Sequence, residues 1–455
     1  MHSIRSQGSL SIAEQSAGPT REEIRAPSAE NTGMEIVAPA GTMAMVAAAL
    51  QSGANSIYFG VENLNLRNQA NGAFSLEDID YVARKCHRFG AKAYLTMNSV
   101  IYDRDMKLAQ TILTRAGSVG LDAVIASDPA VIELAREKGL SVHLSTQVSV
   151  SNLAAVRFWA RYADVIVLAR ELDLSMIARI AEGIREQDIR GPSGERVRIE
   201  VFGHGALCIA VSGRCGMSLY SDLASANRGA CRQNCRRKYR VIDERGVELE
   251  IDNEYIMSPN DICTLPFLNR VVDSGASMLK IEGRNRGADY VSNTVQVYRE
   301  ALQKAGQEDL AEFKDSIPDW MQRLEQVYHR GFSSGYYLGE KQGWAGSDGN
   351  QSPVRKVFLG EVSNYFSRLS VAEVTLRSGK LSRGQEVAFF GKTTGAHIQQ
   401  ISEIRQDNQP IESVSGPAII TVPVSNRVRR GDQFYLMDRL EVDGKAGEGT
   451  KGKRK

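Results

Sequence analysis

Between Glu35 and Ile281, short runs of β-branched and aliphatic residues alternate with helix-length amphipathic stretches, and this rhythm leaves a chain few ways to fold. Helix-length segments between strands act as crossovers, so the strands pair in parallel. Eight runs read as strands: Glu35 to Ala38, Ser56 to Phe59, Lys92 to Met97, Ala123 to Ala126, Val142 to Ser145, Val165 to Leu168, Ile199 to Phe202 and Met278 to Ile281. Eight strands over about 270 residues fit a (β/α)8 barrel, whose usual length is about 250. The expected fold is α/β, a TIM-like (β/α)8 barrel with distortion allowed. A doubly wound open sheet of the same strands is the competing arrangement, because periodicity does not report closure.

The barrel is expected over residues 34–305, with a cysteine-rich loop at 203–240. Residues 306–352 read as a helical extension and linker, the latter rich in Gly, Ser, Asp and Asn from Gly343 to Ser352. The rhythm then becomes purely β. Runs at Val357 to Val362, Leu369 to Leu376, Glu386 to Phe390, Ile398 to Ile404, Ala418 to Val422 and Gln433 to Met437 make residues 353–440 a small antiparallel β-barrel. Residues 1–33 lack the apolar stretch of a secretory signal and read as a disordered leader, and residues 441–455 as a basic tail. The composition, 42% hydrophobic and 24% charged, excludes collagen, coiled coil and wholesale disorder. No apolar run reaches the roughly 18 residues of a membrane-spanning helix, so a soluble, cytoplasmic chain with no membrane partner is expected. In that reducing setting the six cysteines are more apt to bind metal than to form disulfides.

In parallel folds the site lies at the carboxyl ends of the strands. Those ends are unusually polar here: Asn98 after the third, Ser145-Thr146-Gln147 after the fifth, Arg170-Glu171 after the sixth, His204 after the seventh, and Glu282-Gly283-Arg284 after the eighth. Strand alternation puts His143, Ser145 and Gln147 on one side. A pocket of such groups suits a small, polar, anionic molecule. His204 and Glu282, on neighbouring strand ends, are the candidates for proton transfer.

Four of the six cysteines, Cys208, Cys215, Cys231 and Cys235, follow the seventh strand with the spacing C-x6-C-x15-C-x3-C. Thiolates are soft ligands that select zinc or iron–sulfur clusters. Zinc sites favour close pairs of ligands, which only Cys231 and Cys235 form; the wider spacing favours a 4Fe–4S cluster over zinc. The C-x3-C-x2-C pattern of radical chemistry is absent, since Lys238 stands where its third cysteine would fall. Cys263 is an alternative fourth ligand, and Cys86 reads as core.

The net charge of +2 excludes global attraction to polyanions but conceals a patch. From Cys208 to Arg240, Arg214, Arg228, Arg232, Arg236, Arg237, Lys238 and Arg240 face the single acid Asp222, a net of +6. Arginine forks suit phosphate, so the patch suggests a polyanion whose reactive part is presented to the pocket. Part of the charge compensates thiolates.

The motifs Ala38-Pro39-Ala40-Gly41, Tyr58-Phe59-Gly60, His143-Leu144-Ser145-Thr146-Gln147, Leu168-Ala169-Arg170-Glu171, His204-Gly205-Ala206-Leu207-Cys208 with Ser212-Gly213-Arg214-Cys215, and Lys280-Ile281-Glu282-Gly283-Arg284 together resemble the U32 peptidase family. The resemblance runs from Met34 to about Tyr337, and the small β-domain is similar to the family's C-terminal domain. It implies RNA hydroxylation, since bacterial members include tRNA hydroxylation proteins that form 5-hydroxyuridine at the wobble position, a ribosomal RNA cytidine hydroxylase, and proteins that hydroxylate a ubiquinone precursor. It also implies iron–sulfur clusters and, in some members, dependence on prephenate.

The expected activity is therefore hydroxylation of the tRNA wobble uridine by an iron–sulfur enzyme with prephenate as oxygen donor and an electron-transfer partner. Asn98, His143, Gln147, Arg170, Glu171, Lys280 and Arg284 are the candidate substrate-binding residues, Arg214, Arg228, Arg232, Arg236, Arg237 and Lys238 the RNA-binding ones, and Cys208, Cys215, Cys231 and Cys235 the metal ligands. The alternatives are a collagenase-like peptidase, a ribosomal RNA or quinone-precursor hydroxylase, and a non-catalytic RNA-binding module. A peptidase finds little support in the residues, which lack H-E-x-x-H and include only six histidines.

Overall fold

A computed structural model of the chain describes residues 33–66, 74–240, 242, 244–246, 255, 257–306, 310–346 and 349–440. The expected leader, except Gly33, and the expected basic tail lie outside these residues. The first part runs β1 (Glu35–Pro39), α1 (Met43–Gln51), β2 (Ser56–Phe59), α2 (Asp78–Arg88), β3 (Lys92–Met97), α3 (Met106–Ser118), β4 (Ala123–Ala126), α4 (Pro129–Glu137), β5 (Ser141–Leu144), α5 (Leu153–Trp159), β6 (Val165–Val167), α6 (Leu174–Glu186) and β7 (Arg198–Gly205). It continues with α7 (Met217–Asp222), β8 (Asp261–Cys263), α8 (Leu268–Asp273), β9 (Met278–Ile281), α9 (Ala288–Ala305), α10 (Ala311–Glu325) and β10 (Phe332–Ser333).

The helices start where side chains satisfy the free N–H groups of a first turn. Thr42, Asp128, Asn152 and Asp173 accept from the backbone N–H groups of Met45, Ala130, Ala155 and Met176. Asp128 also accepts from Ile101 N with its other oxygen, at 3.1 Å, so one carboxylate fixes both α4 and the loop after β3. The strands pair in parallel in chain order from β1 to β7; β9 then pairs in parallel with both β7 and β1. The sheet is a closed eight-stranded barrel, and the open-sheet alternative does not apply.

Inside the barrel, Val37, Tyr58, Tyr94, Ala123, Ile125, Val165 and Met278 pack together, with the ring of His143 4.4 Å from that of Tyr94. Two charged residues enter this interior. Lys280 on β9 and Glu200 on β7 pair at 2.6 Å with side chains 7% and 0% exposed, joining the strands where the barrel closes. Three residues later β7 departs from regular pairing: its register with β9 slips between Phe202 and His204. Gly203 permits this bulge, because a Cβ there would lie 2.5 Å from the Leu279 side chain. Beyond it β8 adds to β7 antiparallel, and β10 adds to β8.

The cysteine-rich insertion after β7 is docked on the barrel mouth. Glu171 accepts from Ser212 N at 2.9 Å, Val100 N donates to Asn227 O at 2.9 Å, and Arg228 pairs with Asp105 at 2.7 Å. The far end is tied by Arg236, whose guanidinium donates to Leu207 O, Pro259 O and Ser258 Oγ.

The second part comprises β11 (Val354–Phe366), β12 (Val371–Leu376), β13 (Lys380–Ser382), β14 (Glu386–Gly391), β15 (Gly395–Gln400), β16 (Ile404–Gln406), β17 (Gln409–Ile411), β18 (Ser413–Ser415), β19 (Ala418–Pro423) and β20 (Gln433–Arg439). It is antiparallel, as expected, with eight strands in the order β15-β14-β20-β11-β12-β19-β16-β17 beside a β13–β18 ribbon, and both sheets contribute to one core. The expected run from Ile398 to Ile404 divides into β15 and β16 at Ile401, whose N–H turns to Gln385 O. This domain packs against α1, whose residues from Met45 to Leu50 are all buried. Gly395 makes the approach possible: its φ is +72°, and a Cβ there would meet Ala48 N at 2.9 Å. Lys85 and Gln51 donate to the carbonyls of Lys392 and Thr393, and Lys356 pairs with Asp289 at 2.6 Å.

Two predictions follow from these joints. Lys280→Ala leaves the Glu200 carboxylate buried alone and should lower stability by about 3–5 kcal/mol in urea unfolding, whereas Lys280→Met with Glu200→Gln should recover most of it; an unchanged midpoint in the single variant would show that the pair does not hold the closure. Hydrogen bonding from Arg228 holds the Asp105 carboxyl below its ordinary value near 4. The clip therefore contributes fully above that value and is lost as pH falls through the lowered pKa. At neutral pH, Asp105→Asn should raise the rate of tryptic cleavage within 208–240 by roughly two- to fivefold, the effect of an ion pair worth under about 1 kcal/mol.

Candidate functional site

The strand ends and the insertion enclose a cavity of about 360 Å³ at the carboxyl face of the barrel. This is the size of a small-ligand site. Its floor is formed by Tyr58, Thr96, Phe202 and Lys280, and its wall by the cysteine-rich insertion.

Asn98, Gln147, Arg170, Lys280, Glu282 and Arg284 from the expected set line the cavity. Asn98 Nδ2 donates to Gln147 Oε1 at 3.1 Å, and Ser145 Oγ donates to the same oxygen. Arg170 lies flat on the Phe202 ring, 3.7 Å from its centroid, and donates to Ala206 O; its Nε is buried without a partner. Arg284 is buried and donates to Asn65 Oδ1 at 2.9 Å. Lys280 Nζ lies 4.5 Å from the Tyr58 ring centroid. Burial pulls its pKa down, and Glu200 pushes it back up. Arg286 and Arg330 also line the cavity and were not singled out from the sequence; Arg330 is buried in a pair with Asp261 at 2.9 Å. A general excess of arginine at strand ends was the only signal that could have flagged them.

Three expected residues are elsewhere. His204 does not face the mouth: the bulge at Gly203 turns it to the outside of the barrel, among Tyr290 and Tyr298 of α9 and Phe332. Burial holds its pKa down at about 3, so it is neutral; Glu282 N donates to His204 O at 2.8 Å, but only Glu282 of the two lines the cavity. His143 lies deeper than Ser145 and Gln147, in the barrel interior, where burial and the nearby Lys280 hold it well below its ordinary value. Glu171 is outside the cavity and holds the insertion through Ser212.

Cys208, Cys215, Cys231 and Cys235 all line the cavity, unpaired as thiols. Burial raises the Cys235 thiol, Arg236 lowers it, and the nearby Cys208, Cys231 and Cys215 raise it further. Met217 N donates to Cys215 Sγ at 3.4 Å. Among the described residues no three His, Cys, Asp or Glu side chains converge as a single ion requires. The residues able to hold a soft cofactor are these four thiols. Cys263 is fully buried on β8 beside Tyr298 and Met321, away from the cavity, and burial pushes its thiol up to about 11.

Of the basic insertion, Arg236 lines the cavity, and Arg228 is turned to Asp105 and Val100 O at its edge. Arg214, Arg232, Arg237 and Lys238 are exposed. No helix among the described residues is long and apolar enough to cross a membrane.

The family model described as Peptidase family U32 matches residues 41–345. A protein named collagenase from Porphyromonas gingivalis is 44% identical over 409 residues, which cover 90% of this chain and 98% of the relative. The tRNA hydroxylation protein P1 of Bacillus subtilis is 29% identical over 87% of this chain and 94% of its own. The 23S rRNA 5-hydroxycytidine C2501 synthase of Escherichia coli is 32% identical over 69% of this chain, a match covering 46% of that longer protein. RNA hydroxylation and collagenase activity are thus both named among these relatives, and the matched segment includes the strand ends, the insertion and the cavity described above. The chain belongs to peptidase family U32.

Proposed function

We propose that this chain is an RNA-modifying hydroxylase whose substrate is the wobble uridine of tRNA and whose product is 5-hydroxyuridine. The observation that carries this reading is the cavity itself, which combines four thiols in one wall with arginines from the strand ends at the mouth of a closed barrel. Relatives named for tRNA and rRNA hydroxylation support it. In this reading Cys208, Cys215, Cys231 and Cys235 hold a 4Fe–4S cluster, which supplies one-electron transfer when bound. The donor set fits in kind: four thiols share one cavity, and a backbone N–H already donates to one sulfur.

The chain's own residues have distinct tasks. Arg170, Arg284 and Lys280 receive the carboxylates of an organic oxygen donor such as prephenate. Asn98 and Gln147 read the polar edge of a base. Glu282 moves the proton at the reacting carbon, without help from His204. Presenting an unpaired loop base costs little, and the exposed arginines of the insertion hold its backbone. The chain acts in the cytoplasm, and a separate electron-transfer partner would set the oxidation state of the cluster without entering the net reaction, in which the organic donor is reduced as the base is oxidised.

The collagenase relative favours a second reading, proteolysis. Among the described residues no histidine lines the cavity, so a thiol or hydroxyl there has no imidazole base.

In nucleoside analysis, tRNA from a strain lacking the gene should lose 5-hydroxyuridine and regain it with the wild-type gene but not with Cys208→Ala. Glu282→Gln should slow formation by about 10² to 10⁴-fold, the usual range for a lost general acid or base. Unchanged tRNA together with hydrolysis of gelatin by the purified chain would establish the peptidase instead. After anaerobic purification, about four irons and four sulfides per chain are expected, lost in a Cys208→Ala, Cys215→Ala variant; stoichiometric zinc without sulfide contradicts the redox chemistry.

A further inference from the structure

The mouth of the cavity carries large side chains that the protein leaves in water. Tyr220 on α7 is 92% exposed, and Leu223, just beyond the helix, is 90% exposed. Tyr220 is anchored close to the cavity. Its ring stands beside the bare backbone of Gly216, where a Cβ would approach it to 3.1 Å, and Cys215, Met217 and Ser218 of the same segment line the cavity.

A second tyrosine stands where the other end of the insertion docks. Tyr102, on the loop between β3 and α3, is 49% exposed. The Arg228 guanidinium lies 3.9 Å from its ring centroid and that of Arg104 5.6 Å. Ala226 and Gly229, on either side of Arg228, line the cavity.

Aromatic rings set among cations at the edge of a cavity match what single-stranded nucleic acid requires. Every base has a π face that stacks on an aromatic ring whatever its identity, while the cations follow the backbone. The centre of a protein-docking face is, by contrast, depleted of charge, whereas this insertion carries a net +6. We propose that Tyr220, with Tyr102, is a stacking platform for the unpaired nucleotides that flank the base entering the cavity. The platform rests on the RNA reading given above and adds the residues that position the strand.

The test uses the full chain, purified without oxygen, and two fluorescein-labelled RNAs, a stem–loop with an unpaired loop and a duplex of equal length. Tyr220→Ala should weaken stem–loop binding by roughly 5- to 150-fold, the range for one lost base stack, and Tyr102→Ala should weaken it in the same direction. Tyr220→Phe should bind like wild type. Duplex affinity and the dependence of binding on salt should not change in Tyr220→Ala, because no charge is removed; Arg214→Ala should flatten the salt dependence instead. At 92% exposure Tyr220 can be truncated without disturbing the core. A Tyr220→Ala variant that binds the stem–loop as wild type does overturns the platform and leaves the RNA reading intact. So does one that keeps RNA affinity but loses a dimer seen in sedimentation, which would make the patch an interface between copies of the chain. Wild-type protein that binds neither RNA overturns the RNA reading itself.

Discussion

The ion pair between Lys280 and Glu200 is the constraint on which both the barrel and its cavity depend. A lysine and a glutamate this deeply buried persist only as partners, since removing either leaves a charge in a medium that cannot solvate it. Their pairing spans β7 and β9, the strands whose contact closes the sheet. The same lysine is part of the cavity floor. With Glu200 beneath it, Lys280 adds little net charge to the cavity, and Arg330 is likewise balanced by Asp261. Arg170, Arg236, Arg284 and Arg286 also line the cavity.

Immediately beyond that pair, one missing side chain redirects the chemistry. Strand alternation carries Glu200 and Phe202 inward and would carry His204 inward as well. The extra residue at Gly203 turns His204 out to α9, where Tyr298 and Phe332 enclose it. Among the described residues the barrel mouth thus keeps Glu282 and its arginines but no imidazole, the ordinary base of hydrolytic catalysis, and the thiol wall is the cavity's distinctive chemistry.

The strands of the barrel were legible in the sequence because burial on both faces demands continuous β-branched runs, and each of the eight expected runs overlaps an observed strand. Closure was not, since it depends on which strand β9 meets rather than on any pattern within it. At the site, Asn98, Gln147, Arg170 and Arg284 were legible because they follow strand ends. His143 and His204 were misplaced for two different reasons. His143 shares the face of Ser145 but lies below the cavity, a depth that alternation does not encode; His204 lies beyond a bulge, which needs one glycine and leaves no period to read. The two-residue β10 and the three-residue β13, β17 and β18 are too short to show any period at all.

Charge counting in the insertion shows the same limit and also where it can be overcome. Seven basic residues against one acid look like a single polyanion-binding surface. The structure divides them by partner. Arg236 is engaged by Leu207 O, Pro259 O and Ser258 Oγ, so it serves the insertion's own fold. Arg228 joins Asp105 and lies over one face of the half-exposed Tyr102, fastening the insertion to the barrel. Arg214, Arg232, Arg237, Lys238 and Arg240 are exposed. An insertion of this kind has to be anchored before it can recognise anything, because a mobile loop would lose on ordering much of what its charges gain on binding. The internal arginines thus hold in place the insertion on which the exposed ones stand.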